Sequence, residues 1–266
     1  MKKITEIIFE CESITPMFMY GADGKTPELR PASIKGVMRF WWRAIHGNLS
    51  LSELKKKESE IFGSTDKKSS FRIRIKHQTL KTENINPLPH KLRNGKPIFK
   101  MNSFQTNQTF KIIFTGNNLD LVENLFKLST ILGGFGQRSR RGFGSIKIVG
   151  DEVLTSSESI DKLIKQINSN FKYSSKINYP YIQIGKKYKD FQNLLDTIGR
   201  ASHNNNCDEL GYAKGKKRLA SPIYVSILKF GDNDYRPIIT TLKNTRLKNT
   251  QSTNDGKVSN FKKAIL

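Results

Sequence analysis

The stretch LDLVENLFKLSTILGGFGQRSRRGFGSIKIVG, residues 119–150, decides the fold of this chain. In its first half the apolar residues recur at helical spacing, which predicts a helix that Asn118 caps and Gly133 ends. Its last residues, SIKIVG at 145–150, predict a short strand. Between the two lies GGFGQRSRRGFG at 133–144, called the Gly-rich loop below, which combines five glycines with three arginines.

The residues before this stretch complete a recognisable order of elements. Their apolar patterns predict one helix and three strands, at 31–46, 3–15, 71–78 and 109–116. Residues 79–108 are polar, contain three prolines and predict a long insertion. The order strand, helix, strand, strand, helix, strand is that of a ferredoxin-like (RRM-like) βαββαβ domain with an antiparallel sheet, which we predict for residues 1–150.

The second half predicts a smaller α+β unit of the same kind over 151–266, joined by a linker near 151–157. Its patterns indicate two helices and three strands, at 157–171, 190–202, 179–185, 222–230 and 235–242. We expect the polar and basic tail from Lys243 to Lys263 to be frayed. The predicted fold class is therefore α+β with two ferredoxin-like domains, the second smaller.

Charge restricts the classes of partner. The 266 residues hold 46 Lys and Arg against 23 Asp and Glu, a formal net charge of +23 that a polyanion would neutralise. Nucleic acid is the first candidate and an anionic membrane surface the second, although no apolar run reaches the ~18 residues that a membrane span needs. The cysteines, Cys11 and Cys207, form neither a disulfide framework nor a metal spacing, so we expect a cytoplasmic protein with reduced thiols.

The helix at 31–46 carries the first set of candidate RNA contacts. Lys35, Arg39 and Arg43 are four residues apart and share one face, and Arg30 stands beside the helix N-terminus. Free N–H groups and the positive end of the dipole attract phosphate there. The alternative is a basic face that only contacts solvent.

The Gly-rich loop carries the second set. Glycines let a ligand approach the backbone, arginines bind phosphate in a bidentate manner, and Phe135 and Phe143 could stack on bases. As a dinucleotide-binding fingerprint the loop fails, because position 139 is Ser and the loop leads from a helix into a strand. We expect no cofactor and no metal. The candidate residues are Gly134, Gly136, Gln137, Arg138, Arg140 and Arg141.

A third basic cluster precedes the best strand of the second half, in KGKKRLASPIYVSI at 214–227. Its candidate phosphate contacts are Lys216, Lys217 and Arg218, and a solvated turn is the alternative.

Evidence for catalysis is weak. Asp23 lies in a loop at 20–30 and could act on a 2′-hydroxyl, but one carboxylate without a partner more often only shapes its loop. The histidines are scattered, share no metal spacing and individually favour packing or surface roles; they are His46, His77, His90 and His203. An endoribonuclease acting through Asp23 or one histidine therefore remains the alternative function.

Three segments resemble a known family. SITPMFMYGAD (13–23) followed by PELRPASIKGVMRFWWRAIHG (27–47) is similar to the start of the first-numbered subunits of Cmr-type CRISPR effectors, which belong to the repeat-associated mysterious protein (RAMP) superfamily. The segment GGFGQRSRRGFGSI resembles the glycine-rich loop of that superfamily, and RLASPIYVSI (218–227) resembles a stretch of the second domain.

The resemblance implies two ferredoxin-like domains and a place in a type III-B interference complex that carries a CRISPR RNA and targets foreign RNA. It implies a binding subunit and not the nuclease, near the 3′ portion of the guide and in contact with other Cmr-type RAMP subunits. The expected partners are thus guide RNA, target RNA and those subunits, with no membrane. A basic ribosomal-type or membrane-surface protein is the third alternative.

Overall fold

The computed structural model describes residues 4–47, 49–151, 154, 156–168, 181–214, 217–242 and 255–266. Its helices are α1 (Pro31–Ile45), α2 (Leu51–Phe62), α3 (Asp120–Leu132), α4 (Ser157–Asn168), α5 (Phe191–Asn204) and α6 (Asp255–Ile265). Its strands are β1 (Thr5–Ser13), β2 (Phe71–Lys76), β3 (Thr82–Ile85), β4 (Leu92–Arg93), β5 (Lys96–Pro97), β6 (Met101–Phe104), β7 (Thr109–Gly116), β8 (Ile146–Ile148), β9 (Tyr181–Ile184), β10 (Tyr212–Lys214), β11 (Lys217–Leu219), β12 (Ile223–Gly231) and β13 (Asp234–Thr241).

The first unit is a four-stranded antiparallel sheet in the order β2-β7-β1-β8. The two strands of each βαβ unit are not neighbours in the sheet, because one strand of the other unit lies between them. This is the split arrangement of a ferredoxin-like fold. Helices α1 and α3 cover one face of this sheet, since their apolar stripes share one core with its inward residues. The predicted element order of the first half is confirmed.

Helix α1 follows its sequence signals closely. Pro31 occupies the first turn, and the apolar residues Ile34, Met38, Trp41 and Ile45, which recur at helical spacing, are buried. Helix α3 departs in one detail, because Asn118 does not cap it. Asn118 adopts a left-handed turn (φ 56°), and Leu119 takes the N-cap position without a side-chain hydrogen bond.

Two features of the first unit were not predicted. Helix α2 has a capping box, in which Ser50 and Glu53 bond each other's backbone, so the pattern Ser-x-x-Glu was a usable signal. The insertion at 79–108 is a β-arm of two short ladders, β3 with β6 and β4 with β5. Asn94 and Gly95, both at positive φ, make the turn at its end.

The second unit runs β9-α5-β12-β13-α6, with its three strands in the order β12-β13-β9. This is the ferredoxin-like order with the fourth strand absent from the described residues. The predicted fold class, two ferredoxin-like α+β units of which the second is smaller, is confirmed.

Strand β12 joins the two cores. Tyr224 and Leu228 pack into the core of the first sheet, whereas Ile223, Val225 and Ile227 pack against α5 and α6. Burying a large aliphatic side chain stabilises a fold by about 1.5–3 kcal/mol, so both faces of this strand contribute.

The C-terminal prediction was wrong in part. Residues 255–263 belong to α6, whose Phe261 and Ile265 are fully buried in the second core, so they are not frayed. Val258, Phe261 and Ile265 recur at helical spacing, and that stripe outweighs the polar composition. Residues 243–254 lie outside the described residues, as does part of the linker near 151–157, and the boundary after residue 150 stays a prediction.

His46 should make the fold sensitive to acid. It is fully buried, its Nδ1 lies 2.6 Å from the Trp42 carbonyl oxygen, and burial lowers its pKa from 6.5 to about 4. The unfolded chain therefore binds a proton before the folded chain does, and stability falls by about 2 kcal/mol from about pH 7 to about pH 5. Denaturant unfolding at several pH values measures this, and His46→Gln should flatten the dependence. An unchanged slope in His46→Gln would contradict the assignment.

Candidate nucleic-acid interface

The Gly-rich loop ties separate parts of the chain together. The N–H of Phe135 donates to the carbonyl of Gly144 at 2.8 Å, closing the loop on itself. The N–H of Gln137 donates to the carbonyl of Phe18 at 2.8 Å, and that of Gly142 to the carbonyl of Val225 at 2.8 Å. The loop is thus a rigid junction between the segment after β1 and strand β12.

The two phenylalanines of the loop do not face a ligand. Phe135 packs in the first core and Phe143 against Phe18 in the second, and both are at most 2% exposed. The prediction that they stack on bases was wrong, because the apolar rings anchor the two ends of the loop inside the protein.

The glycines serve close packing of chain on chain. A Cβ at Gly134 would lie 2.3 Å from the carbonyl oxygen of Phe143, and a Cβ at Gly136 would lie 2.4 Å from that of Phe18. Gly136 also has a φ of +92°, which disfavours any other residue. Besides the predicted approach of a ligand, the close packing of the loop against neighbouring backbone therefore requires glycine at these positions.

The three arginines of the loop point to three different surroundings. Arg140 lines a groove beside α1, and Arg138 lines a separate pocket beside α5. Arg141 turns inward, donating to the carbonyls of Ile223, Leu210 and Arg140 and to the Ser202 hydroxyl. Burial, then the charges of Arg138 and Arg140, lower the pKa of Arg141 to about 10. We remove Arg141 from the candidate RNA contacts, because its donors are already satisfied by protein oxygens.

The groove beside α1, called the glycine groove below, has a volume of about 530 Å³. Its floor is an aromatic cluster in which the rings of Phe40, Trp41 and Tyr224 lie 5.0–5.3 Å apart. Its walls combine the exposed face of α1 with the Gly-rich loop, namely Ser33, Gly36 and Val37 with Gly133, Gly134, Gly136, Gln137, Ser139 and Arg140. None of its lining residues is acidic.

Hydrogen-bond donors remain available in this groove. Within the described residues, the backbone N–H groups of Gly134, Gly136 and Ser139 have no acceptor. The guanidinium of Arg140 lies over the ring of Tyr224 at 4.6 Å without a carboxylate partner, and burial raises the pKa of Tyr224 to about 12. Unpaired amides beside one cation form a concavity suited to an anion.

The basic residues predicted to share one face of α1 have different surroundings. Glu58 of α2 pairs with Arg39, at 3.2 Å, and with Arg43. The assignment of Arg39 and Arg43 to phosphate stays a prediction, and the single, nearly buried carboxylate of Glu58 balances one of their two positive charges. Arg30 remains beside the helix N-terminus, 4.0 Å from Glu28 and well exposed.

Lys35 belongs to a second groove, called the basic groove below, of about 560 Å³. The exposed face of β2 supplies Arg72 and Arg74, and Lys68 precedes that strand. The ammonium of Lys35 lies 4.8 Å from the ring centre of Phe71, and burial, then the Arg39 charge, lower its pKa. Pro31 lines this groove and Ser33 lines the glycine groove, so the first turn of α1 lies between the two.

The remaining candidates lie apart from both grooves. Lys217 and Arg218 are exposed on β11, and Lys216 lies outside the described residues. The carboxylate of Asp23 accepts from the N–H of Lys25 and from the N–H and hydroxyl of Thr26, and these bonds lower its pKa to about 2. A carboxylate held this way shapes its loop and is a poor base. Over the described part of the chain, no three His, Cys, Asp or Glu side chains group as a metal site, and no helix is long and apolar enough to cross a membrane.

Sequence reasoning missed the α1 side of the glycine groove. Ser33, Gly36 and Phe40 lie on a helix face next to that of the predicted cations, and Tyr224 comes from the second half of the chain. Gly36 was a usable signal, since glycine inside a helix is destabilising and indicates a steric or functional reason. A Cβ there would meet nothing within 4 Å, so packing does not require this glycine.

The chain is similar to proteins of CRISPR Cmr systems. It is 34% identical to subunit Cmr1-2 of Pyrococcus furiosus over 177 residues, which cover 54% of this chain and 95% of that protein. It is 32% identical to subunit Cmr1-1 of the same organism over 162 residues, covering 53% of this chain and 47% of that one.

Solved structures share the fold over nearly the whole chain. The crystal structure of apo Cmr1 from P. furiosus superposes with a TM-score of 0.67 at 22% identity, covering 99% of this chain and 96% of that one. A chain of the cryo-EM structure of the Type III-B Cmr-beta complex bound to cognate target RNA gives 0.66 at 12% identity, with 100% of both chains covered.

The family model of the RAMP superfamily matches residues 10–147, which include the end of β1, the whole of α1 and the Gly-rich loop. With this match and the identity to a Cmr1 subunit over almost all of that subunit's length, the chain belongs to the RAMP superfamily and, within it, to the Cmr1 family.

Proposed function

We propose that this chain is a non-catalytic RNA-binding subunit of a type III-B CRISPR interference (Cmr) complex. It contacts the guide RNA toward its 3′ portion, the target RNA or both, and it packs against other RAMP subunits in the cytoplasm. The similarity to Cmr1 subunits and to a chain of an RNA-bound Cmr complex supports the assembly.

The observation that carries RNA binding is a path of anion-binding groups across α1. The path begins at the free amides and Arg140 of the glycine groove and passes the exposed first turn of α1 beside Arg30. It ends at Lys35 and Arg72 of the basic groove. The first turn of α1 holds no acidic residue of its own, and the nearby Glu28 carboxylate lies 4.0 Å from Arg30, so the positive end of the helix dipole is only partly opposed. A sugar–phosphate backbone fits a path of this kind, because its charges repeat along a line.

The groove also suits the other parts of a ribonucleotide. Gln137, Ser139 and Ser33 offer polar groups for 2′-hydroxyls, and the partly exposed ring of Phe40 offers a surface for a base. Contacts of this kind recognise the shape and charge of RNA and carry little sequence information. A subunit that must hold many different guides needs that property.

The outer face of the first sheet is a weaker candidate. RRM-type modules stack bases on aromatic residues of this face. Here it carries paired charges instead, with Glu6, Glu10 and Glu12 bound to Arg74, Lys111 and Lys147 at 2.8–3.9 Å. Charges that neutralise one another attract RNA poorly.

Gly36→Glu should abolish RNA binding through the glycine groove without unfolding the protein. The new carboxylate enters an acid-free groove, and the site has room for it. We expect at least a tenfold weaker Kd for single-stranded RNA and a smaller dependence of log Kd on log salt, by about 0.7 for each lost phosphate contact. Fluorescence anisotropy over a range of salt concentrations measures both.

Gly36→Ala is the matched control. It adds a methyl group without charge and should stabilise α1 by up to about 1 kcal/mol while binding RNA like the parent. If Gly36→Glu binds RNA as tightly as Gly36→Ala at every salt concentration, the glycine groove is not the RNA site. Cleavage of labelled RNA by the purified protein, lost in a histidine variant, would replace this proposal by the endoribonuclease.

A further inference from the structure

A further cationic pocket, separate from the two grooves, lies where the β-arm, the Gly-rich loop and α5 meet. It has a volume of about 190 Å³ and is called the histidine pocket below. It is lined by His90, Lys91, Arg138, Ser202, His203 and Asn206, none of which lines the glycine groove. The proposed function does not use it.

The arm places His90 through a defined turn. The Asn86 side chain donates to the carbonyl of Leu88 at 2.8 Å and accepts from its N–H at 2.9 Å, and the N–H of Lys91 donates to the Leu88 carbonyl at 2.8 Å. The ring of His90 then lies against α5 at Gly199, where a Cβ would be 2.3 Å from Nδ1. Glycine at 199 is therefore what allows the imidazole to reach the helix.

The charges of the pocket have one sign. The rings of His90 and His203 have their centres 5.6 Å apart, Lys91 and Arg138 lie beside them, and the guanidinium of Arg141 also lines the pocket. No lining residue is acidic, and Asp196 on α5 is paired with Arg200 at 2.6 Å. Burial, then the charges of His203, Lys91 and Arg138, lower the pKa of His90, and Asp196 opposes this.

Two buried donors in this region have no partner. Within the described residues, Nε of Arg138 and Nδ1 of His90 have no hydrogen-bond acceptor. The guanidinium of Arg138 lies over the ring of Phe143, at 5.8 Å from its centre. Buried polar groups in native proteins almost always have partners, so these two nitrogens leave hydrogen-bonding capacity that an anion or a water molecule can satisfy.

We propose that the histidine pocket is a phosphate-binding site in which Arg138, His90 and His203 donate hydrogen bonds to phosphate oxygens. A guanidinium and imidazolium groups are suited to a tetrahedral oxyanion, because charge-assisted hydrogen bonds are the strong ones. A volume of about 190 Å³ suits one phosphate group and not an extended strand. A protonated His90 binds phosphate more tightly than a neutral one, so binding strengthens as the pH falls through the lowered pKa of His90.

The test is an NMR titration of the histidine ring protons in the full chain. The probes are inorganic phosphate, uridine monophosphate, the dinucleotide UpU and, as the phosphate-free control, uridine. We expect the His90 signals to shift with the phosphate-bearing probes and not with uridine, and the pKa of His90 to rise on binding. A response to UpU identifies an internal RNA phosphate as the ligand, and a response only to the other two identifies a terminal or free one.

Arg138→Gln should weaken phosphate binding at least tenfold, as should His203→Gln, which changes an exposed residue and is safer for folding. Arg93→Gln, on the exposed arm, removes the same charge and should bind like the parent. If no phosphate-bearing probe shifts His90, or if both pocket variants bind phosphate like Arg93→Gln, the proposal is wrong. This test is independent of the test of the glycine groove, because it follows the ring signals of His90 and leaves Gly36 unchanged.

Discussion

Arg141→Met should lower the free energy of unfolding by about 3 kcal/mol, whereas Arg140→Met, one residue earlier, should lower it by less than about 1 kcal/mol. Arg141 donates to three backbone carbonyls and to Ser202, linking the Gly-rich loop to α5 and β12. Methionine keeps the length of the side chain but leaves those carbonyls without a donor. Urea unfolding monitored by circular dichroism gives both values.

In RNA binding the order of the two variants should be reversed, with the larger effect in Arg140→Met. Arg140 lies over Tyr224 in the glycine groove with no carboxylate partner, so its loss should weaken RNA binding several-fold. Arg141→Met, measured at a temperature where it is still folded, should bind RNA nearly like the parent. Equal stability of the two variants would show that Arg141 does not hold the junction together.

Gly144→Ala should destabilise the protein by about 3 kcal/mol or more, enough to prevent folding near physiological temperature. Gly144 has a φ of +69°, and a Cβ there would lie 2.0 Å from the backbone oxygen of Phe135. Because that oxygen belongs to the facing side of the same loop, relief requires the loop to open. Thermal unfolding and the yield of soluble protein measure the effect.

Gly150→Ala separates the cost of a left-handed backbone from the cost of the close contact. Gly150 has a similar φ of +80°, but a Cβ there would meet nothing within 4 Å. Its substitution should therefore show the cost of the left-handed backbone alone, about 1 kcal/mol. If Gly144→Ala loses no more stability than Gly150→Ala, the close approach to Phe135 is not what requires glycine.

Much of the fold could be predicted because its signals are local. The alternation of Phe71, Arg72 and Ile73 and the helical spacing of Ile34 and Met38 depend only on neighbouring residues. The errors arose where local signals conflict. The tail around Phe261 has a polar composition but a helical apolar stripe, and the stripe is buried against the second sheet.

The candidate site was predictable as segments but not as contacts. The Gly-rich loop and α1 do meet, and Gly134, Gly136, Gln137 and Arg140 line one groove. The cations predicted on α1 nevertheless lie on a neighbouring face of the helix, where Arg39 and Arg43 share the Glu58 carboxylate. No spacing in the sequence indicates that α2 brings a carboxylate to that face.

The sequence alone established the order of elements, the excess of positive charge and the segments that indicate the family. Which arginine lines the glycine groove, which one bonds to the carbonyls of the junction and which one lies beside two histidines was decided only by the tertiary structure. The physical reason is that adjacent residues in a tight turn point in different directions. What each side chain meets there depends on β12, α5 and the arm, which are distant in the chain.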